Sequence, residues 1–488
     1  MQAIRILSIV LALTAVVRAA GFQTYQTADV VLGQPDFASS ITPASTQPNL
    51  FIHPMAAAVD PTTGKVFVSD SGHHRVLRFS SAAAAQSGSN PELVFGQPNF
   101  SSAQANQGGG ASAATLNNPG DVSVDSLGRL WVADSSNNRV LCFYLASQLV
   151  TNDPPADIVL GQPDFTTVTS AATASKMKSP FSLVVGPDET LWVSDTGNHR
   201  VLRFADVTYP VSGASADGVL GQPNLTTGSV GGGNPANNTL SSPTQVCADA
   251  AGRLWVCDLA NHRVLRFDNA AVVATATGGG ATAVVGQPDL STNAASLTPS
   301  ASNFYLSYGI AVDASGALWV SDLIFNRVLR FSHAASISSG GTADLVLGQS
   351  DFTSLVAATT ARNLNQPTLI HVGAGGSLLV SDYSNHRVLR FSPSADAASS
   401  PIPAGAPVVT VSGKKKLATT APKVVLKGTA AGSVSSVTAK VGRKMFTARG
   451  TTHWKLPVTL KSGRTVVKII AHGPGGNSAP VKITIVRL

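Results

Sequence analysis

The sequence predicts an all-β protein: a six-bladed β-propeller closed by an N-terminal strand and followed by a small β-sandwich. Three observations carry that expectation. A short phrase built on Gly-Gln recurs six times, and a strand–turn–strand phrase follows each copy. Charged residues make up only 12% of the 488, while Gly, Ala, Ser and Thr are abundant. Such a composition suits short strands joined by small-residue loops, not long amphipathic helices.

The first phrase reads VLGQPDF from Val31, VFGQPNF from Val94, VLGQPDF from Val159, VLGQPNL from Val219, VVGQPDL from Val284 and VLGQSDF from Val346. The second is clearest as PGDVSVDSLGRLWVADSSNNRVLCF, from Pro119 to Phe143, and ends elsewhere in forms such as VSDTGNHRVLRF. Its aspartates, Asp70, Asp134, Asp195, Asp258, Asp322 and Asp382, are spaced by 64, 61, 63, 64 and 60 residues. A period near sixty with four β-like runs per unit indicates propeller blades and not a helical solenoid.

The strand pattern agrees. In Leu130-Trp131-Val132-Ala133-Asp134 both faces are apolar or small, as a sheet packed on both sides requires. The wide residue at the Trp131 position recurs as Phe67, Trp192, Trp255 and Trp319, beside a small residue at Ser69, Ser194, Cys257 and Ser321. The sixth unit ends at Phe391 with no Gly-Gln phrase after it, yet one such phrase stands alone at Val31. The N-terminal strand is therefore expected to supply the outer strand of the last blade, covering an open sheet edge.

The chain divides by composition into 1–20, 21–400 and 401–488. Residues 1–20 read as a secretory signal, with Arg5, an apolar stretch from Ile6 to Val17 and a small-residue cleavage site at Val17-Arg18-Ala19. A secreted or periplasmic protein is expected, with no transmembrane span in the mature chain. Residues 401–488 read as a basic immunoglobulin-like sandwich after the linker SPIPAGAP. Residues 21–400 hold 17 basic and 26 acidic residues, whereas Val411 to Leu488 holds fifteen Lys and Arg and no Asp or Glu. The overall charge of +8 thus conceals two opposed parts.

Taken together, the Pro-x-x-hydrophobic-x-hydrophobic-Asp strand, the Gly-hydrophobic-Trp-Val-x-Asp strand and the Asn-His-Arg-Val-Leu turn resemble NHL-repeat propellers over roughly residues 29 to 392. The units are longer than the usual NHL repeat, and the first-strand aspartates Asp60, Asp125, Asp249 and Asp313 give way to Gly186 and Gly373. The resemblance implies a platform that binds proteins, peptides, RNA or small molecules. It also raises zinc-dependent lyases with three channel histidines and calcium-dependent lactonases. His53 and His371 break the repeat at first strands, but two histidines fall short of a three-histidine zinc site. No metal or other cofactor is expected.

The repeated turn has a functional and a structural reading. An Asp at a strand end can accept turn N–H groups and pair with the Arg five residues later. The pairs are Asp70 with Arg75, Asp134 with Arg139, Asp195 with Arg200, Asp258 with Arg263, Asp322 with Arg327 and Asp382 with Arg387. Because the set occurs six times, while a catalytic site needs one asymmetric constellation, the turns are assigned to structure. No catalytic residues are assigned. Of three cysteines, Cys247 and Cys257 lie on neighbouring strands of one hairpin, where either a disulfide or two buried thiols would fit.

The expectation is an exported, non-catalytic binding or scaffold module, a monomer, whose ligand is a protein, a peptide or a polysaccharide. The alternative is a propeller lyase or hydrolase with a metal in the central channel. Nucleic acid is excluded as a partner because no aromatic–basic platform is present; the basic tail could meet anionic polymers or the acidic propeller. The binding surface is placed on the face that carries the repeated turns and the long loops, 38–52, 101–118, 166–179, 226–242, 291–306 and 353–366. Phe304, Tyr305, Tyr308 and Phe325 are its expected anchors.

Overall fold

The computed structural model describes residues 21–81, 86–230, 235–275 and 279–394. Beyond these it describes 408–411, 416–421, 423–431, 436–441, 444–448, 453–460, 462–473, 476–477 and 481–487. Residues 1–20, expected to be a signal, and the expected linker up to residue 407 lie outside the described residues. The chain falls into two compact units divided between residues 398 and 399.

The first unit is all antiparallel sheet. Its first sheet is β2 (Pro54–Val59), β3 (Lys65–Asp70), β4 (Arg75–Ser81) and β5 (Leu93–Phe95), and its second is β6 (Pro119–Val124), β7 (Leu130–Asp134), β8 (Arg139–Phe143) and β9 (Ile158–Leu160). The third comprises β10 (Pro180–Val185), β11 (Leu191–Asp195), β12 (Arg200–Phe204) and β13 (Gly218–Leu220). The fourth is β14 (Pro243–Ala248), β15 (Leu254–Asp258), β16 (Arg263–Phe267) and β17 (Ala283–Val285), with a short helix α1 (Ala270–Thr275) between its last two strands. The fifth is β18 (Ser307–Val312), β19 (Leu318–Asp322), β20 (Arg327–Phe331) and β21 (Leu345–Leu347). The sixth has three consecutive strands, β22 (Pro367–Val372), β23 (Leu378–Asp382) and β24 (Arg387–Phe391), and its fourth is β1 (Val30–Leu32), paired antiparallel with Val31 opposite Leu389.

Between consecutive sheets lies an apolar layer drawn from both. Trp131, Ala133 and Cys142 of the second sheet pack with Leu183, Val193 and Leu202 of the third. Between the sixth and the first, Leu379 and Val388 pack with Ala57, Val68 and Leu77, joined by Val30 and Leu32. Every residue of β7, β11, β15, β19 and β23 is buried, because each middle strand is covered on both faces. The first strands touch in succession, β2 with β6, β6 with β10, β10 with β14, β14 with β18 and β18 with β22, and β22 touches β2.

The Gly of each Gly-Gln phrase has a packing reason. Gly286 has φ +89°, and a Cβ there would lie 2.3 Å from the Phe304 ring. The same close approach joins Gly33 to Phe51, Gly96 to Leu116, Gly161 to Met177, Gly221 to Leu240 and Gly348 to Leu364. Only glycine meets both demands, a positive φ and contact with a buried side chain.

The second unit has two sheets. One is β25 (Val408–Val411), β27 (Lys423–Ala431) and β30 (His453–Thr459). The other holds β26 (Lys416–Thr419), β33 (Val481–Arg487), β31 (Gly463–Gly473), β28 (Ser436–Val441) and β29 (Lys444–Thr447), with β32 (Gly476–Asn477) paired to β31. Leu426, Leu456 and Val458 from the smaller sheet share one core with Val437, Val467, Ile469 and Ile483 from the larger.

Candidate functional site

The repeated turn is a clamp. Asp195 ends β11, and its Oδ1 accepts the Lys178 N–H at 2.6 Å. Its Oδ2 accepts from Asn198 Nδ2 at 2.8 Å and Arg200 Nε at 2.7 Å. Arg200 then donates to the carbonyls of Leu225 at 2.5 Å, Thr173 at 2.8 Å and Lys176 at 3.1 Å, so one buried guanidinium ties two successive long loops. Arg75, Arg139, Arg263, Arg327 and Arg387 do the same with loop carbonyls, and Arg387 reaches Phe37 O beside the N-terminal strand. All twelve Asp and Arg side chains are buried. The Gln of each phrase adds a brace: Gln222 donates to His199 O at 3.1 Å and Ser229 O at 2.7 Å, and Gln34, Gln97, Gln162, Gln287 and Gln349 repeat the pattern. The long loops are ordered by these backbone contacts.

The residue before each Arg links neighbouring sheets. It sits in the left-handed region, which His and Asn tolerate better than most residues (His199, φ 53°). His74 Nδ1 accepts the Asn118 N–H at 2.9 Å, His199 Nδ1 the Ser242 N–H at 3.0 Å and His386 Nδ1 the His53 N–H at 3.3 Å. Asn138 and Asn326 use Oδ1 for the same bond, to Ser179 and Gln366, each at 2.8 Å. His262 instead faces the Tyr305 carbonyl. Burial is the main force holding the His74, His199 and His386 rings below the usual histidine range.

The expected anchors do not form one surface. Phe304 is 0% exposed, because it fills the space beneath Gly286 and meets Phe331 edge-on. Phe325 is 3% exposed; it stacks on Tyr305 and lies under the Arg327 guanidinium. Phe325 occupies the position from which Asn198 donates to Asp195. Without that donor, burial pushes the Asp322 carboxyl up to about 6 against the pull of Arg327 and the Tyr305 N–H. In the first turn burial also opposes ionisation, but Arg75 and His73 outweigh it and leave Asp70 below the usual carboxylate value. Tyr308 lies on β18 and meets Phe181 of β10 edge-on at 5.5 Å. Tyr305 and Tyr308 are half-buried, and Tyr305 stacks on His262. Exposed aliphatic side chains do occur on those loops: Ile41, Val168, Val230, Leu297, Leu355 and Val356.

Cys142, Cys247 and Cys257 are free thiols. The two repeat-breaking histidines are far from a shared metal site. His53 stacks on Tyr383 beside His386, while His371 lies among the first strands against Asp121. Among the described residues no three His, Cys, Asp or Glu converge as metal ligands.

One constellation is not repeated. Asp121, Ser182 and Gln245 occupy the third position of β6, β10 and β14, where the other first strands carry Ala56, Gly309 and Leu369. Asp121 Oδ2 accepts the Ser182 hydroxyl at 2.6 Å, and its Oδ1 takes the Val122 N–H at 2.8 Å and His371 Nε2 at 2.9 Å. Gln245 Oε1 accepts the Ile310 and Ile370 N–H groups, and its Nε2 donates to Ile370 O at 2.9 Å. Single-sequence reading flagged His371 but missed these three. The available signal was polarity at a strand position that is otherwise small or apolar.

Residues 116–143 and 240–267, which span the core of the second and fourth sheets, match the NHL repeat. Human teneurin-4 is 24% identical over 303 residues, covering 48% of this chain and 11% of teneurin-4, and human teneurin-1 is 23% identical over 295 residues. The chain thus corresponds to about a tenth of the length of these relatives. Among solved structures, virginiamycin B lyase from Staphylococcus aureus is similar over 71% of this chain and 86% of its own, with 14% identity and a TM-score of 0.38. Regucalcin from Agrobacterium tumefaciens, described as a calcium-binding protein, is similar over 71% and 93%, with 13% identity and a TM-score of 0.39. The chain carries NHL repeats in an all-β fold of the propeller type.

Proposed function

We propose that this is an exported, monomeric, non-catalytic binding protein. Its first 20 residues are the signal, residues 21–400 a six-bladed NHL propeller closed by the strand Val30–Leu32, and residues 401–488 an immunoglobulin-like sandwich. The partner docks on the loop face. A single observation carries this reading: six buried guanidiniums hold the long loops by their carbonyls, while Ile41, Val168, Val230, Leu297, Leu355 and Val356 remain exposed with no core to fill. A rigid base with exposed aliphatic contacts suits a protein or peptide surface. A polysaccharide is less well served, because no fully exposed aromatic ring stands on those loops among the described residues. A cleft of about 450 Å³ between Thr46 and the Gln97–Gln107 segment offers amide and hydroxyl groups for a peptide backbone.

The test is a displayed-peptide selection on the intact secreted protein. Hits should be lost in a Leu297→Ser, Leu355→Ser, Val356→Ser variant whose melting temperature is unchanged. Hits that survive this triple change refute the assignment. N-terminal sequencing of the exported chain checks cleavage after residue 20.

A further inference from the structure

The first strands end in a second cavity, of about 200 Å³, bordered by Gln245, Cys247, Ile310, Ala311, Val372 and His371. The fifth position of these strands carries Ala58, Ser123, Val184, Cys247, Ala311 and His371. Five are small or aliphatic and one is an imidazole. The sheet that carries the imidazole also departs from the repeat at two other points. Leu379 stands opposite His371 where Trp131 stands opposite Ser123, and Gly373 replaces the aspartate that in the second, fourth and fifth sheets receives the Trp indole, as Asp125 does from Trp131 at 2.7 Å. Losing the bulky ring and its carboxylate together leaves the histidine beside a short aliphatic partner.

The hydrogen bonds assign the tautomer. Gln245 cannot turn its amide round, because Oε1 holds two backbone N–H groups and Nε2 holds a carbonyl. The Gln245 Nε2 stands 3.2 Å from His371 Nε2, whereas Asp121 Oδ1 stands at 2.9 Å. An Nε2–H that donates to the carboxylate gives the shorter, charge-assisted bond, and an Nε2 lone pair there would face a carboxylate oxygen. The proton therefore sits on Nε2, and Nδ1 carries the lone pair. No partner for Nδ1 stands among the described residues, and the ring keeps 18% of its surface exposed. Ser182 and the N–H groups of Val122 and Leu183 hold the Asp121 carboxylate in turn, so the imidazole is oriented from behind.

We infer that this cavity is a small-molecule site in which His371 Nδ1, oriented by Asp121, accepts a hydrogen bond from an O–H or N–H group of a small ligand. The walls combine the aliphatic side chains of Val184, Ile310, Ala311 and Val372 with polar groups that include His371, Ser123, Gln245 and Cys247, and the volume lies below that of drug-sized pockets (~300–1,000 Å³). Ligands of the size of a simple phenol or short-chain alcohol are the class it takes. The loop-face reading plays no part in this inference, and either can fail alone.

The experiment uses the full chain, with phenol and toluene as probes that differ by one hydroxyl, and follows the ¹⁵N-labelled His371 ring by NMR. Phenol should bind saturably and about fivefold tighter than toluene, the ratio one neutral hydrogen bond supplies. His371→Ala should erase the difference, and Asp121→Ala, which removes the acceptor, should shift the ring away from the Nε2–H tautomer. The wild-type tautomer needs no variant to read. An Nδ1–H ring, no saturable phenol binding, equal binding of phenol and toluene, or a preference that persists in His371→Ala each overturns the inference.

Discussion

The turns and the first strands belong to the same six sheets, yet they obey opposite rules. At the turns the same buried carboxylate and guanidinium appear six times, with the same loop carbonyls around them. At the third and fifth positions of the first strands hardly any polar group is repeated, and the one Asp–His contact joins residues 250 apart in the chain. Repetition marks what every sheet needs in order to fold. A departure from it has two meanings, and Phe325 and His371 illustrate them: one is absorbed into packing, the other leaves a polar atom facing a cavity.

The largest effect should come from breaking a clamp. Arg200→Ala leaves a buried carboxylate without its cation and frees three carbonyls, so unfolding in denaturant should show a loss of about 3–5 kcal/mol. A loss below 1 kcal/mol would show that the turns are surface decoration and erase the contrast with the first strands. Next is Phe325→Ala, which should lower stability by about 3 kcal/mol, since it opens a cavity beneath Arg327 and Tyr305. An unchanged melting temperature would return Phe325 to the role of an exposed anchor.

The smallest effect is a slope in pH. His199 has its folded pKa held below 6.5 by burial, so the unfolded chain binds more protons as pH falls through that value. Its contribution is fully present above pH 6.5 and is lost below it. Asp322, raised to about 6, works the other way: its folded form keeps the proton better, which favours folding as pH falls from 6 toward 3.8. The clean measurement is therefore the difference between wild type and His199→Asn, which keeps the inter-sheet bond as Asn138 does. The variant should match wild type at pH 7.5 and be the more stable at pH 5.5. Equal stability at both values would show that protonation leaves the link intact.

Much of the fold was legible because it rests on local rules repeated many times. The alternation in Leu130–Asp134, the His or Asn that tolerates a left-handed turn and the glycine at the Gly-Gln step each report a backbone requirement from a few residues. Pairing of Val30–Leu32 with Arg387–Phe391 was legible as well, since an unpaired edge at one end of the chain matched an unpaired phrase at the other. The site was less legible. Phe304 and Phe325 looked like exposed aromatics on variable loops, and nothing in their neighbourhood announces that a glycine and a guanidinium cover them.

By itself, the sequence determined the strands, the turns, the Asp–Arg pairing and the order of the sheets. Each depends on spacings of two to five residues or on a period near sixty. Only the tertiary structure decided that the guanidiniums reach loop carbonyls, that Gln245 is locked by two N–H groups, and that Asp121 meets His371. Those contacts join strands far apart in sequence, and their partners are mostly backbone atoms, which every residue carries and no side-chain pattern reveals.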